Sequence, residues 1–122
     1  MKVSVVIPTY NGGATLERAI MSVINQTAKC EIEILLCDDV SDNMGYLIKM
    51  KDIYPNVRII QNGTHTGGPN EGRNKGMLYA TGDVIAFLDQ DDEWMPNKLK
   101  IQLKEIEHGA EFVYSGNITQ KV

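Results

Sequence analysis

The sequence predicts an α/β fold: a doubly wound, mainly parallel sheet flanked by helices. Short β-branched apolar runs alternate with stretches of helical periodicity along the chain, and consecutive parallel strands need a crossover that is usually a helix. The runs are almost continuously apolar, as expected for strands covered on both faces. A chain of 122 residues with 43% hydrophobic side chains can build one compact core.

The first run, residues 3–7, is β-branched and closed by Pro8, which predicts a strand. Residues 14–25 then place Leu16, Ala19, Ile20 and Val23 on one helical face. Further strands are predicted at 32–37, 57–60, 84–88 and 111–114, with helices at 44–53, 71–79 and 97–106. Residues 115–122 show no closing element, so the chain is expected to stop within its fold. No repeat, low-complexity stretch or linker marks an internal boundary.

The net charge of −4 and the lack of any Lys/Arg run exclude a nucleic-acid partner, which needs a clustered positive surface. The apolar stretch before Pro8 is too short for a secretory signal or a membrane span. The expected location is the cytoplasm, including the inner face of the cell membrane as a peripheral site. Cys30 and Cys37 form neither a disulfide framework nor a zinc pattern and are expected to be reduced thiols.

In an open parallel sheet the ligand crevice lies outside the carboxyl ends of the strands. Those positions carry Pro8-Thr9-Tyr10-Asn11-Gly12-Gly13, Asp38-Asp39, and Asp89-Gln90-Asp91-Asp92-Glu93. Acids from two loops at one edge would repel one another unless a cation sat among them, and hard divalent ions take such oxygen ligands. Mn2+ or Mg2+ is therefore expected. Asp89 and Asp91, two apart, would share a face while Gln90 points away. A metal there most often serves phosphate, which points to a diphosphate ligand.

Single acids have plainer uses, with Asp42 a candidate cap for the second helix and Asn97 or Asp92 for the fourth. Residues 66–76 add a Gly-rich turn with Arg73 and Lys75 leading into a helix, which suits phosphate; any sharp loop shares that look. His65 is expected to be an exposed loop residue, and His108 to complement a helix carboxyl end. Trp94 is expected to pack more than to stack on a ligand.

Four pieces, in this order and spacing, resemble family-2 glycosyltransferases: Val5-Val6-Ile7-Pro8-Thr9-Tyr10-Asn11; Asp38-Asp39 with Ser41 and Asp42; Gly72-Arg73-Asn74-Lys75-Gly76; and Gly82-Asp83 running to Phe87-Leu88-Asp89-Gln90-Asp91-Asp92. The resemblance implies a GT-A fold with a Rossmann-like nucleotide-binding half, used in polysaccharide and cell-envelope biosynthesis. It implies metal-assisted transfer from a nucleoside-diphosphate sugar, UDP-linked, to an acceptor hydroxyl with inversion. Donor-binding residues would be Pro8, Thr9, Tyr10, Asn11, Asp38, Asp39, Gly67, Arg73, Asp83, Asp89 and Gln90.

By the same resemblance, Thr9, Tyr10 and Asp39 would surround the base, with Asp39 accepting from a uracil ring N–H. Arg73 would serve the base side or the diphosphate, oriented by Asp83. Asp89 would face the ribose and metal, and Asp91 would ligate Mn2+ or Mg2+. The family's catalytic base lies in its second half, so no residue here is assigned that role. Residues 1–122 would be the nucleotide-sugar-binding part of the domain, truncated before the acceptor-binding part. A glycan or lipid-linked acceptor would bind through the missing part, and the face it leaves bare would favour self-association.

Departures occur at Val40, where the family has Gly and a β-branched residue resists positive φ, and at Thr66, Pro69 and Gly72. Three rivals fit less well. A receiver domain of the signalling class needs acids after its first and third strands, where Pro8-Thr9 and Gln61-Asn62 stand. An Asp-x-Asp phosphatase needs its motif after the first strand. A dinucleotide-dependent oxidoreductase needs a Gly-x-Gly-x-x-Gly turn that Asn11-Gly12-Gly13-Ala14-Thr15 lacks.

Overall fold

The computed structural model describes residues 1–107, 112–115 and 118–121. Elements follow in the order β1 (Lys2–Thr9), α1 (Ala14–Ile24), β2 (Glu31–Asp38), α2 (Gly45–Ile53), β3 (Val57–Gln61), α3 (Asn70–Tyr79), β4 (Val84–Phe87), α4 (Lys98–Glu107), β5 (Phe112–Ser115) and β6 (Ile118–Lys121). The sheet order is β3-β2-β1-β4-β6-β5. Strands β1 to β4 are parallel, and β6 runs antiparallel to both β4 and β5. The α/β, mainly parallel expectation holds.

Two elements differ from the sequence reading. Strand β1 continues through Pro8 to Thr9, paired with Cys37 and Asp38 of β2. On its other side β4 pairs only as far as Val6, whose carbonyl accepts from Leu88 N. The missing Pro8 N–H therefore faces a side with no ladder to complete, which is where a strand tolerates proline. Strand β6 falls in the stretch expected to hold no element. Its Ile-Thr-Gln-Lys sequence carries no periodic signal, and backbone pairing with β4 and β5 defines it. His108 and Glu111 lie outside the described residues.

Alternation along β1 divides the core. Val3, Val5 and Ile7 face a large cluster with Leu16, Ala19, Ile20 and Val23 of α1, Leu47 and Met50 of α2, and Leu99 of α4. Val6 faces the other way with Leu35 and Cys37, under α3. That second layer is thin because α3 comes very close. A Cβ on Gly76 would lie 2.3 Å from Val6 Cγ1, and one on Gly72 would lie 3.1 Å from the Cys37 carbonyl oxygen.

At the amino ends of the strands, Glu33 is buried yet fully engaged. Its Oε2 accepts from Ser4 Oγ (2.6 Å), Thr81 N (2.7 Å) and Thr81 Oγ1 (2.8 Å), and its Oε1 from Arg58 Nη1 (3.1 Å). One carboxylate thus ties together β1, β2, β3 and the entry to β4. No described helix is long and apolar enough to cross a membrane.

Candidate functional site

The loops after β1, β2 and β4 meet at the carboxyl edge of the sheet, and the first two are locked by their own polar side chains. Asp38, with no exposed surface, accepts from Thr9 Oγ1 (2.7 Å), Ser41 N (2.8 Å) and Ser41 Oγ (2.5 Å). This clamp holds the turn through Val40, whose φ is +60°. The left-handed turn survives without glycine: the Asp38 contacts hold Val40 in a conformation costing roughly 1–2 kcal/mol. Asn11, also left-handed at φ +49°, exchanges hydrogen bonds with Asp42, giving Nδ2 to Oδ2 (3.1 Å) and receiving Asp42 N at Oδ1 (2.9 Å). Asp42 is therefore a loop crosslink and not a helix cap; Asn43 Oδ1 instead accepts from Gly45 N at the start of α2.

Asp39 projects from this turn toward the loop after β3. Its Oδ1 accepts from Asn62 Nδ2, Thr66 N and Thr66 Oγ1, each at 2.8 Å. Its Oδ2 accepts from Gly67 N (3.0 Å) and lies 2.9 Å from His65 Nδ1. Gly67 reaches that position at φ +84°, where a side chain would be strained. Desolvation pushes the Asp39 carboxyl up, but the donors of Asn62, Thr66 and Gly67 outweigh it and hold it well below the usual carboxylate range.

Gln90 does not point away. Its Nε2 donates to the Tyr10 carbonyl (3.0 Å) and its Oε1 accepts from Tyr10 N (2.9 Å). Strand β4 has ended at Phe87 and residues 89–92 turn, with Asp92 N donating to Asp89 O (3.1 Å), so strand alternation no longer orients them. Asp89 pairs with Arg73 of α3 at 3.2 Å. Asp91 is exposed and has no hydrogen bond or ion pair among the described residues.

Between these loops lies a cleft of about 260 Å³. Of the residues expected at the donor site, Pro8, Thr9, Tyr10, Asp39, Gly67 and Gln90 line it. Arg73 and Asp89 are the chain neighbours of its lining residues Gly72 and Gln90. Three expected residues are elsewhere. Asp38 is sealed behind the wall by its own hydrogen bonds, and Asn11 faces Asp42 outside the cleft. Asp83 sits at the opposite edge, where its Oδ2 accepts from Lys2 N (2.9 Å). It precedes β4 whereas Asp89 follows it, a separation of about 20 Å along an extended chain, so it cannot orient Arg73.

The cleft also includes His65, an exposed loop residue as expected, together with Cys37, Gly68, Pro69 and Gly72. The His65 ring packs against Tyr10 with centroids 4.5 Å apart and planes tilted by 35°. Burial pushes the Cys37 thiol up to about 12, the opposite of an activated nucleophile. Trp94 is a core residue, 4% exposed, with the buried Lys98 ammonium 5.8 Å above its ring.

The acids do not share one cation in common. Hydrogen bonds already satisfy Asp38 and Asp39, Asp89 meets Arg73 through Oδ1 and stays half exposed, and no group of three ligating side chains converges among the described residues. What remains is an open carboxylate, Asp91, beside the Arg73–Asp89 pair.

The model for glycosyl transferase family 2 matches residues 4–121. A GalNAc(5)-diNAcBac-PP-undecaprenol beta-1,3-glucosyltransferase of Campylobacter jejuni is 31% identical over 98% of this chain and 39% of its own. The UDP-Glc:alpha-D-GlcNAc-diphosphoundecaprenol beta-1,3-glucosyltransferase WfgD of Escherichia coli is 36% identical over 92% of this chain and 44% of its own. The crystal structure of S. aureus TarS 1-349 in complex with UDP-GlcNAc aligns with a TM-score of 0.81 at 31% identity, covering 92% of this chain and 33% of that one. This chain thus spans less than half the length of each. Nothing in these likenesses supports the receiver-domain alternative, and the four motifs, the sheet order and the family match agree: the chain belongs to glycosyl transferase family 2, with a GT-A fold.

Proposed function

We propose that this chain holds the donor, a UDP-linked sugar, for a glycosyltransferase that inverts at the anomeric carbon and delivers to a hydroxyl of a glycan or lipid-linked acceptor. The observation that carries the reading is the meeting of Tyr10, Asp39 and Gln90 at one cleft on the carboxyl edge of the sheet, where open α/β sheets bind ligands. The naming of UDP-Glc and UDP-GlcNAc for a relative and for TarS supports the uridine part. The undecaprenol-linked names of relatives support a lipid-linked acceptor and a place against the inner face of the cell membrane.

In this reading Tyr10, 39% exposed, offers its ring to the base, and Asp39 accepts from a ring N–H. Gln90 fixes the Tyr10 backbone and so the position of that ring. Arg73 presents its guanidinium to the diphosphate, a charge-assisted contact that strengthens as the leaving group gains charge. Asp91, with Asp89 in support, would hold Mn2+ or Mg2+. An exposed carboxylate with few protein co-ligands suits ions that keep several waters and bind through one or two carboxylates plus substrate phosphates. When bound, such an ion neutralises charge on the departing diphosphate. The base that deprotonates the acceptor is assigned to the acceptor-binding part of the whole protein, whose donor-binding part is this chain. Self-association through a face that the acceptor part would cover belongs to the same proposal.

Calorimetric titration with UDP, GDP and CDP, with and without Mn2+, tests the reading. UDP should bind best and only weakly after chelation. Asp91→Asn keeps the shape and removes one charge, so affinity in Mn2+ should fall about tenfold, or 1.4 kcal/mol. UDP binding unaffected by both chelation and Asp91→Asn would sink the metal assignment; no binding of any nucleotide would sink the donor assignment.

A further inference from the structure

We infer that His65 occupies the position of the donor base in the ligand-free protein and that binding exchanges the imidazole for the base, making His65 the residue that sets nucleotide affinity. This rests on the donor-site reading above. Two independent contacts place the ring there. Its ring packs against Tyr10 with centroids 4.5 Å apart and planes tilted by 35°, and its Nδ1 stands 2.9 Å from Asp39 Oδ2 and 3.0 Å from the Asp39 carbonyl oxygen. A planar heterocycle resting on Tyr10 with a ring N–H on Asp39 would use those same two surfaces.

The arithmetic of space and hydrogen bonds excludes both occupants at once. A base sandwiched between Tyr10 and His65 needs about 7 Å between the outer rings, twice a contact distance of about 3.5 Å, and only 4.5 Å is present. A carboxylate has about four lone-pair sites, and Asp39 already faces Asn62 Nδ2, Thr66 N, Thr66 Oγ1, Gly67 N and His65 Nδ1. Of these, His65 is the one that can leave without opening the turn. Thr66 and Gly67 hold Asp39 partly through the backbone, whereas His65 does so by a side chain still 47% exposed. Gly63, Gly67 and Gly68 flank the segment, each with open space where a Cβ would stand, so no side chain at these three positions hems in the half-exposed imidazole.

The sign of the effect separates this role from a structural or stacking one. If His65 competes with the base, the apparent dissociation constant is the intrinsic one divided by the fraction of molecules whose slot is open. Removing the ring then tightens binding. His65→Ala should bind UDP about fivefold more tightly than the parent, while His65→Phe, which keeps a ring on Tyr10, should bind no better than the parent. Nuclear Overhauser contacts between the His65 and Tyr10 rings should be present in the ligand-free protein and disappear on saturation with UDP. Weaker UDP binding by His65→Ala would overturn the proposal while leaving the donor site intact, as would ring contacts that persist at saturation. Absence of ring contacts in the ligand-free protein would overturn it whatever UDP does. Failure of the parent and both variants to bind any nucleotide would remove the donor reading, and this inference with it.

Discussion

Gly76→Ala adds a single methyl group, and the structure says where it goes. The new Cβ would stand 2.3 Å from Val6 Cγ1, 2.6 Å from Val6 Cγ2 and 3.0 Å from Val6 Cβ. Carbon atoms pack at about 3.5–4.0 Å, so the shortfall is more than 1 Å. Val6 cannot retreat, because β1 is held between β2 and β4 at Leu35 and Phe87 and its side chain has no exposed surface. The helix must lift instead. Overpacking of this kind costs about 1–3 kcal/mol, and the intrinsic preference of a helix for Ala over Gly returns about 0.5–1 kcal/mol. We expect a net loss of about 1–2 kcal/mol in urea unfolding at an unchanged m-value.

Function should change with stability, because α3 carries Arg73 three residues from the clash. Lifting the helix would stretch the 3.2 Å Arg73–Asp89 contact beyond hydrogen-bonding range, and UDP affinity should fall several-fold. Val6→Ala removes the two atoms in worst contact, so the double variant should recover part of the loss, with a coupling of roughly 1 kcal/mol or more. A Gly76→Ala protein within 0.5 kcal/mol of the parent, or strictly additive single variants, would refute the close-packing argument.

Two further outcomes follow from the polar interior. Burial pushes the Glu33 carboxyl up, but Ser4, Thr81 and Arg58 outweigh it and bring it to about 2, against an ordinary 4.5. With the folded value depressed, its contribution is complete above about pH 4.5 and is lost as pH falls toward 2, on the order of 3 kcal/mol in all. Glu33→Gln should flatten that part of the stability profile and cost about 2 kcal/mol at neutral pH, because its amide N–H2 would face Arg58; an acid-unfolding profile like the parent's would refute this. Val40→Gly relieves a left-handed β-branched residue while freeing the unfolded chain, for an expected net gain of about 0.5–1 kcal/mol by thermal or urea unfolding; a loss would show that Val40 packing outweighs its backbone cost.

The sequence by itself determined the layers and the edge at which chemistry sits. Short continuous apolar runs and period-3.6 patterns reflect local geometry and burial, so β1 to β4 and the four helices were legible from which residues are apolar. The order of loops after strands then placed Thr9, Tyr10, Asp39 and Gln90 together, because parallel strands all present their carboxyl ends to one edge. What only the tertiary structure decided was the direction of individual side chains once the chain left regular structure. Gln90 turns inward because β4 ends at Phe87, Asp38 faces its own turn, Asp83 pairs with Lys2 at the far edge, and His65 meets Tyr10 across more than fifty residues of chain. Strand β6 belongs to the same class, since its pairing is written in the free backbone of its neighbours and not in its side chains. Loop hydrogen bonds link residues far apart in sequence and follow no period, so their partners exist only once the strands have been set side by side.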